Sequence, residues 1–171
     1  TLVRKDFSVL NIIGQKRGGY YISELLEKIE KLIGKTKEEQ VILVGVGHLG
    51  IALLNYSGFE RENIKIVAAF DLKPDQIEGE QAVPILSLEQ LPEFVATHKI
   101  KTAIMSVPIA AAEQTKELLL SVGMTGILNF AGLPLKSTEQ CLLKNVDLAL
   151  EVEQLIYQAR TFKSTFKNAA K

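Results

Sequence analysis

The sequence predicts an α/β protein built on a doubly wound parallel sheet, and three observations carry that prediction. From Val41 onward, short apolar runs alternate with stretches of helical periodicity. Between the first run and the first helix, Gly45, Gly47 and Gly50 stand in G-x-G-x-x-G spacing. An acidic residue, Asp71, closes the second apolar run 21 positions after Gly50. Repeated β-α-β units with right-handed crossovers give such a sheet.

Residues 1–21 precede that pattern and hold "VRKDFS" and the basic turn "GQKRGGYY". Residues 22–40 read as a connecting helix and linker. Ser23 is a plausible N-cap, Leu25, Leu26, Ile29, Leu32 and Ile33 share one face, and Gly34 stops the helix. The polar run "KTKEEQ" follows.

Residues 41–146 form the sheet domain. "VILV" (41–44) suits a parallel strand buried on both faces. Residues 48–57 should be helical, "IKIVAAFD" (64–71) a second strand and "VPIL" (83–86) a third. Ser87 and Gln90 make a capping box that opens a helix to about Ala96. "KTAIMSVP" (101–108) supplies a fourth strand and 109–122 a helix that ends at Gly123. "GILNF" (126–130) and "CLLKNV" (141–146) supply two more strands.

Residues 147–171 contain the last helix, from about Asp147 to about Asn168. Leu148, Val152, Leu155, Ala159, Phe162 and Phe166 recur at spacings of 4 and 3 in a heptad-like seam. The seam can fold back on its own domain or be covered by a second copy of the chain. The second is preferred, because no later element is available to cover it.

Composition narrows the function. The chain has 171 residues, 47% apolar, with formal net charge of zero, which does not advertise nucleic-acid binding. Its first 20 residues differ, with Arg4, Lys5, Lys16 and Arg17 against Asp6 alone. The single Cys141 excludes an internal disulfide and reads as a core residue in a reducing compartment. No signal peptide is evident, and no apolar run approaches the ~20 residues that span a bilayer. A cytoplasmic protein without membrane association is expected. No cluster of His, Cys and carboxylates has metal-ligand spacing, so no metal is expected.

The glycine loop points to a dinucleotide. Gly45 permits the tight turn out of the strand, Gly47 lets a pyrophosphate approach the backbone, and Gly50 lets helix and strand pack closely. The pyrophosphate then lies on the helix N-terminus. Asp71 either accepts hydrogen bonds from an adenosine ribose or begins the turn "DLKPD". A carboxylate there repels a 2′-phosphate and favours NAD(H) over NADP(H), against which Lys73 stands two residues on. His48, inside the loop, reads as a solvated residue in preference to a phosphate-facing one, and His98 reads as a surface residue. No proton donor stands beside a substrate pocket and no substrate domain follows, so the cofactor should be sensed rather than consumed. No catalytic residue is assigned.

Taken in order, "VRKDFS", "GGYYISELLEKI", "VGVGHLGIALLNYSGF", "AAFDLKP", "SVPIAAAEQ", "GILNFAGLPL" and "NVDLALEVEQLIY" resemble the Rex family of redox-sensing transcriptional repressors, from about Val3 to Tyr157. The resemblance implies a homodimer with an N-terminal winged-helix domain, a Rossmann domain and a last helix exchanged between subunits. It implies operator DNA as partner, release from DNA by NADH, and competition by NAD+. By match of motif, Arg4 and Lys5 fall in the recognition helix, and "GQKRGGY", with Lys16 and Arg17, in the wing. Gly45, Val46, Gly47, His48, Leu49 and Gly50 fall around the pyrophosphate, and Asp71 and Leu72 at the ribose. Tyr56, Val107, Pro108, Asn129, Phe130 and Ala131 fall around the nicotinamide side of the cofactor. Asp147 and Leu148 begin the exchanged helix, where Asp147 takes part in redox-linked contacts. Two departures stand out. Gly132 occupies a position where the family typically has proline, and Thr1 falls within the recognition helix. Residues 1–21 are thus expected to be a winged-helix remnant that binds DNA weakly alone. The alternative is a CoA- or nucleotide-binding domain of an enzyme complex, whose "SVP"-plus-helix pattern would look alike.

Overall fold

The computed structural model describes residues 21–32, 37–79 and 81–169. The expectations for Arg4, Lys5, Lys16, Arg17 and the wing lie outside the described residues, as do Ile33 and Gly34. The described residues fall into two compact units: 21–39 and 57–65 in one, 40–56 and 66–169 in the other.

In the first unit, helix α1 runs Ile22–Leu32. Its first bond runs from the Leu25 N–H to the Tyr21 carbonyl at 3.0 Å. Tyr21 therefore holds the cap position and Ser23 lies inside the first turn, two places after the cap. Leu25 is half-buried, while Leu26 and Ile29 of the expected apolar face are exposed.

The second unit carries the sheet. Strands β1 (Glu39–Val44), β2 (Ile64–Asp71), β3 (Ile85–Ser87), β4 (Thr102–Met105), β5 (Gly126–Asn129) and β6 (Leu142–Asn145) stand in the order β3-β2-β1-β4-β5-β6. β1–β4, β2–β3, β4–β5 and β5–β6 pair in parallel. The central strands must be apolar on both faces, since crossover helices cover each side. Accordingly Val41–Val44 and Ala103–Met105 are buried without alternation. Phe70 joins Ile42, Met105 and Leu91 in the core and meets Phe94 edge-on, with centroids 5.6 Å apart. β6, at the edge, buries Leu143 and leaves Leu142 exposed.

The helices are α2 (His48–Leu54), α3 (Gly58–Arg61), α4 (Leu91–His98), α5 (Ala112–Ser121) and α6 (Leu148–Ala169). α2 stops three residues before the expected end, because the Asn55 amide donates to the Ile51 carbonyl at 2.9 Å and occupies the last turn. The Ser87–Gln90 capping box is present; it opens a 3-10 turn that leads into α4, with Pro92 in the first turn. Another 3-10 turn, Ile109–Ala111, precedes α5, and Gly123 terminates it at φ +80°. β2 has its expected bounds and β1 begins two residues earlier than expected, whereas β4, β5 and β6 are shorter than the runs 101–108, 126–130 and 141–146. His98 is exposed and stacks on Phe94. Along α6 the seam residues Leu148, Val152, Leu155, Ala159 and Phe162 are all exposed.

Candidate functional site: the crevice at the glycine loop

The C-terminal ends of the strands continue their ladders by one residue. Gly45 donates to the Phe70 carbonyl, Ser106 to Val44, Phe130 to Met105 and Val146 to Asn129, each at 2.8 Å. The chain turns away in opposite directions after β1 and β4, which are neighbours, and a crevice opens at that switch point. It encloses about 560 Å3, within the roughly 300–1,000 Å3 range of small-molecule sites.

The three glycines are there for different reasons. Gly45 has φ +93°, and a Cβ on it would lie 2.6 Å from the Ser106 carbonyl oxygen. A Cβ on Gly50 would lie 2.2 Å from the Gly45 carbonyl oxygen, so this glycine serves loop-to-helix packing. Around Gly47 a Cβ would meet nothing within 4 Å, and its backbone (φ −74°, ψ −168°) suits any residue. Nothing among the described residues requires glycine at 47. The space above it faces the crevice, and an occupant that lies against the backbone there is what would require it.

Asp71 stands on the crevice wall at the end of β2. Its Oδ2 accepts the Val46 N–H at 2.8 Å, and its Oδ1 accepts the Lys73 N–H at 3.0 Å. The turn reading of this residue is therefore present in the structure. Each carboxylate oxygen has a second lone pair, which leaves acceptor capacity toward the crevice. Lys73 lines the same wall.

Gly45, Gly47, His48, Leu49, Asp71, Leu72, Val107, Pro108 and Phe130 all line the crevice. Val46 does not; its side chain is core and its N–H is spent on Asp71. Gly50 is buried beneath the loop, and Tyr56, exposed beyond α2, is not in the crevice wall. Asn129 and Ala131 are buried behind the wall, where the Asn129 Oδ1 accepts the Ala131 N–H at 2.9 Å. Asn129 instead borders a second hollow of about 220 Å3, with Asp147 and Leu150. Asp147 caps α6: its Oδ1 accepts the Ala149 and Leu150 N–H groups at 3.0 and 3.1 Å. Leu148 follows, more than half exposed.

Sequence reasoning missed Val44, Phe70, Lys73, Leu88, Ser106, Ala111 and Thr115 as wall residues. Thr115 could have been found, since Ala112, Thr115 and Leu119 form the inward stripe of α5. A polar residue in that stripe, one helix away from the glycine loop, is a signal.

A glycine loop between strand and helix, an acidic residue closing the next strand and a crevice at the switch point define a nucleotide-binding domain of the Rossmann type. A family model described as "CoA binding domain" matches residues 36–133. Among similar proteins, the redox-sensing transcriptional repressor Rex of Listeria welshimeri is 36% identical over 156 residues, 91% of this chain and 73% of that protein. The Rex of Streptococcus thermophilus is 37% identical over 158 residues, 91% of this chain and 72% of that one. Among solved structures, the Rex-family repressor RSP in complex with β-NAD+ and operator DNA superposes with a TM-score of 0.81 at 27% identity, over 99% of this chain and 79% of that one. RSP in complex with β-NADH gives 0.75 at 27%, over 96% and 77%. The chain belongs to the Rex family of redox-sensing transcriptional repressors.

Proposed function

We propose that this chain senses the NADH/NAD+ ratio and represses transcription, leaving its operator DNA when NADH binds. The observation that carries this reading is the open space over Gly47 in a crevice whose wall includes Asp71. The relatives' names and complexes supply redox sensing, NAD+, NADH and operator DNA. In this reading the dinucleotide's pyrophosphate lies against Gly47, His48 and Leu49, its ribose meets Asp71 and Leu72, and its nicotinamide lies toward Val107, Pro108 and Phe130. These apolar walls penalise the cationic nicotinamide of NAD+ by desolvation and leave neutral NADH unpenalised. That difference in affinity is all the free energy available to shift the protein between DNA-bound and released states.

The working unit is a homodimer, with the exposed seam of α6 covered by the second copy. The DNA contacts come from residues 1–21, with Arg4, Lys5, Lys16 and Arg17 on phosphates and bases. Residues 22–40 connect that region to a cofactor domain at 41–146, and 147–171 dimerise. Asp147 reads the nicotinamide charge through the dimer interface. The chain catalyses no reaction and works in the cytoplasm; among the described residues no helix is long and apolar enough to cross a membrane.

The matching family model favours one second reading, a coenzyme A site in the same crevice. A competition experiment separates the two. NADH is bound to the chain and followed by its fluorescence, then challenged with NAD+, NADP+ and coenzyme A. Displacement by NAD+ at concentrations where coenzyme A has no effect supports redox sensing; displacement by coenzyme A alone removes it.

A further inference from the structure

Within the crevice wall, we infer that Ser106 is a positioning residue that sets the glycine loop for binding, by clamping one peptide unit together with Asp71. The inference rests on the dinucleotide reading above. The Ser106 hydroxyl donates to the Gly45 carbonyl at 2.7 Å, and the Val46 N–H donates to Asp71 Oδ2 at 2.8 Å. Those two groups are the ends of a single peptide bond. One end is held from the strand on one side of β1 and the other from the strand on the other side. The peptide is a strut across the switch point, with its plane fixed from both directions.

The need for such a strut follows from Gly45. Its φ of +93° is a conformation that glycine enters and leaves easily, so the backbone alone does not hold the turn. Rotation of the Gly45–Val46 peptide would swing Gly47 and the start of α2, the part of the loop that faces the crevice. It is opposed by both side-chain bonds at once. Ser106 is also close enough to feel the packing below: a Cβ on Gly50 would come 3.3 Å from its Oγ. The hydroxyl thus sits where turn, helix and β4 converge.

The test compares wild type, Ser106→Ala and Ser106→Thr in calorimetric titrations with NADH and with NAD+, alongside thermal melts and amide exchange of Val46 in the free protein. Ser106→Ala should bind both dinucleotides about three- to tenfold more weakly, the range one net hydrogen bond allows. The NADH-to-NAD+ ratio should not change, Val46 exchange should quicken, and Ser106→Thr should restore affinity and exchange. Should Ser106→Ala not fold, Ser106→Cys, of similar size and with only a weak donor, should show the same pattern. A lower melting temperature with unchanged affinity and unchanged Val46 exchange means ordinary stabilisation and overturns the inference alone. Wild-type protein that binds neither dinucleotide overturns the sensor reading and this inference together.

Discussion

Asn129 and Asn145 are register partners at the last positions of β5 and β6, and the Nδ2 of the first donates to the Oδ1 of the second at 2.8 Å. The same Asn129 Nδ2 donates to the Leu133 carbonyl at 2.7 Å, and Asn145 exchanges bonds of 3.0 and 2.9 Å with the Leu135 backbone. Two amide side chains thereby hold the loop 130–135, which carries Phe130 into the crevice and Leu133 to the second hollow. Asn129→Ala leaves buried backbone groups without partners and should cost about 1–3 kcal/mol in urea unfolding. Asn145→Ala, at a more exposed site, should cost less. The double variant should fall short of the sum, because both remove one network.

Gly47 and Gly50 should part company on substitution. Gly50→Ala pushes a methyl into the Gly45 carbonyl and should destabilise by about 2 kcal/mol or more. Gly47→Ala should leave stability within about 0.5 kcal/mol of wild type, since the site is open. It should still weaken NADH binding if the pyrophosphate lies against Gly47 as proposed, because the added methyl would stand in that place. Thermal melts and NADH titration of the two variants check this.

Asp147 combines a cap and a charge, and two substitutions separate them. Asp147→Ala removes the acceptor for two N–H groups and should cost about 1 kcal/mol, with loss of helical circular dichroism. Asp147→Asn keeps an acceptor and should keep the helix. If the carboxylate reads the nicotinamide charge, Asp147→Asn should nevertheless shift the ratio of NADH to NAD+ affinities. An unchanged ratio would reduce Asp147 to a cap.

Burial pushes the Cys141 thiol above its ordinary pKa. The folded state thus keeps its proton when the unfolded chain loses it, near pH 8.5. The contribution to stability is fully present below that pH and declines as pH rises toward the folded-state value. Native protein at pH 8 should react with iodoacetamide far more slowly than urea-unfolded protein. Equal rates would show that the thiol is not protected.

Much of the fold is legible in the sequence. The glycine spacing, the apolar runs and Asp71 announce the sheet and its switch point, because each is a local constraint written in neighbouring residues. Leu49, Leu72, Val107, Pro108 and Phe130 are reached only through the family resemblance. What was not legible depends on distant pairs. Asn129 reads as a cofactor contact from its motif, yet its amide is consumed by residues 131, 133 and 145. Val46 likewise spends its N–H 25 positions away, on Asp71. Ser106 reads as the end of a strand, and only the fold brings it 61 positions back to Gly45. The end of α2 departs from the periodicity because the Asn55 amide occupies its last turn.

The central claim is that the glycine loop holds a redox signal. Calorimetric titration of the chain with NADH and with NAD+, at a concentration where sedimentation has fixed its oligomeric state, tests it most directly. Redox sensing predicts a dimer that binds NADH much more tightly than NAD+. Equal affinity for the two, or no binding of either, would contradict it.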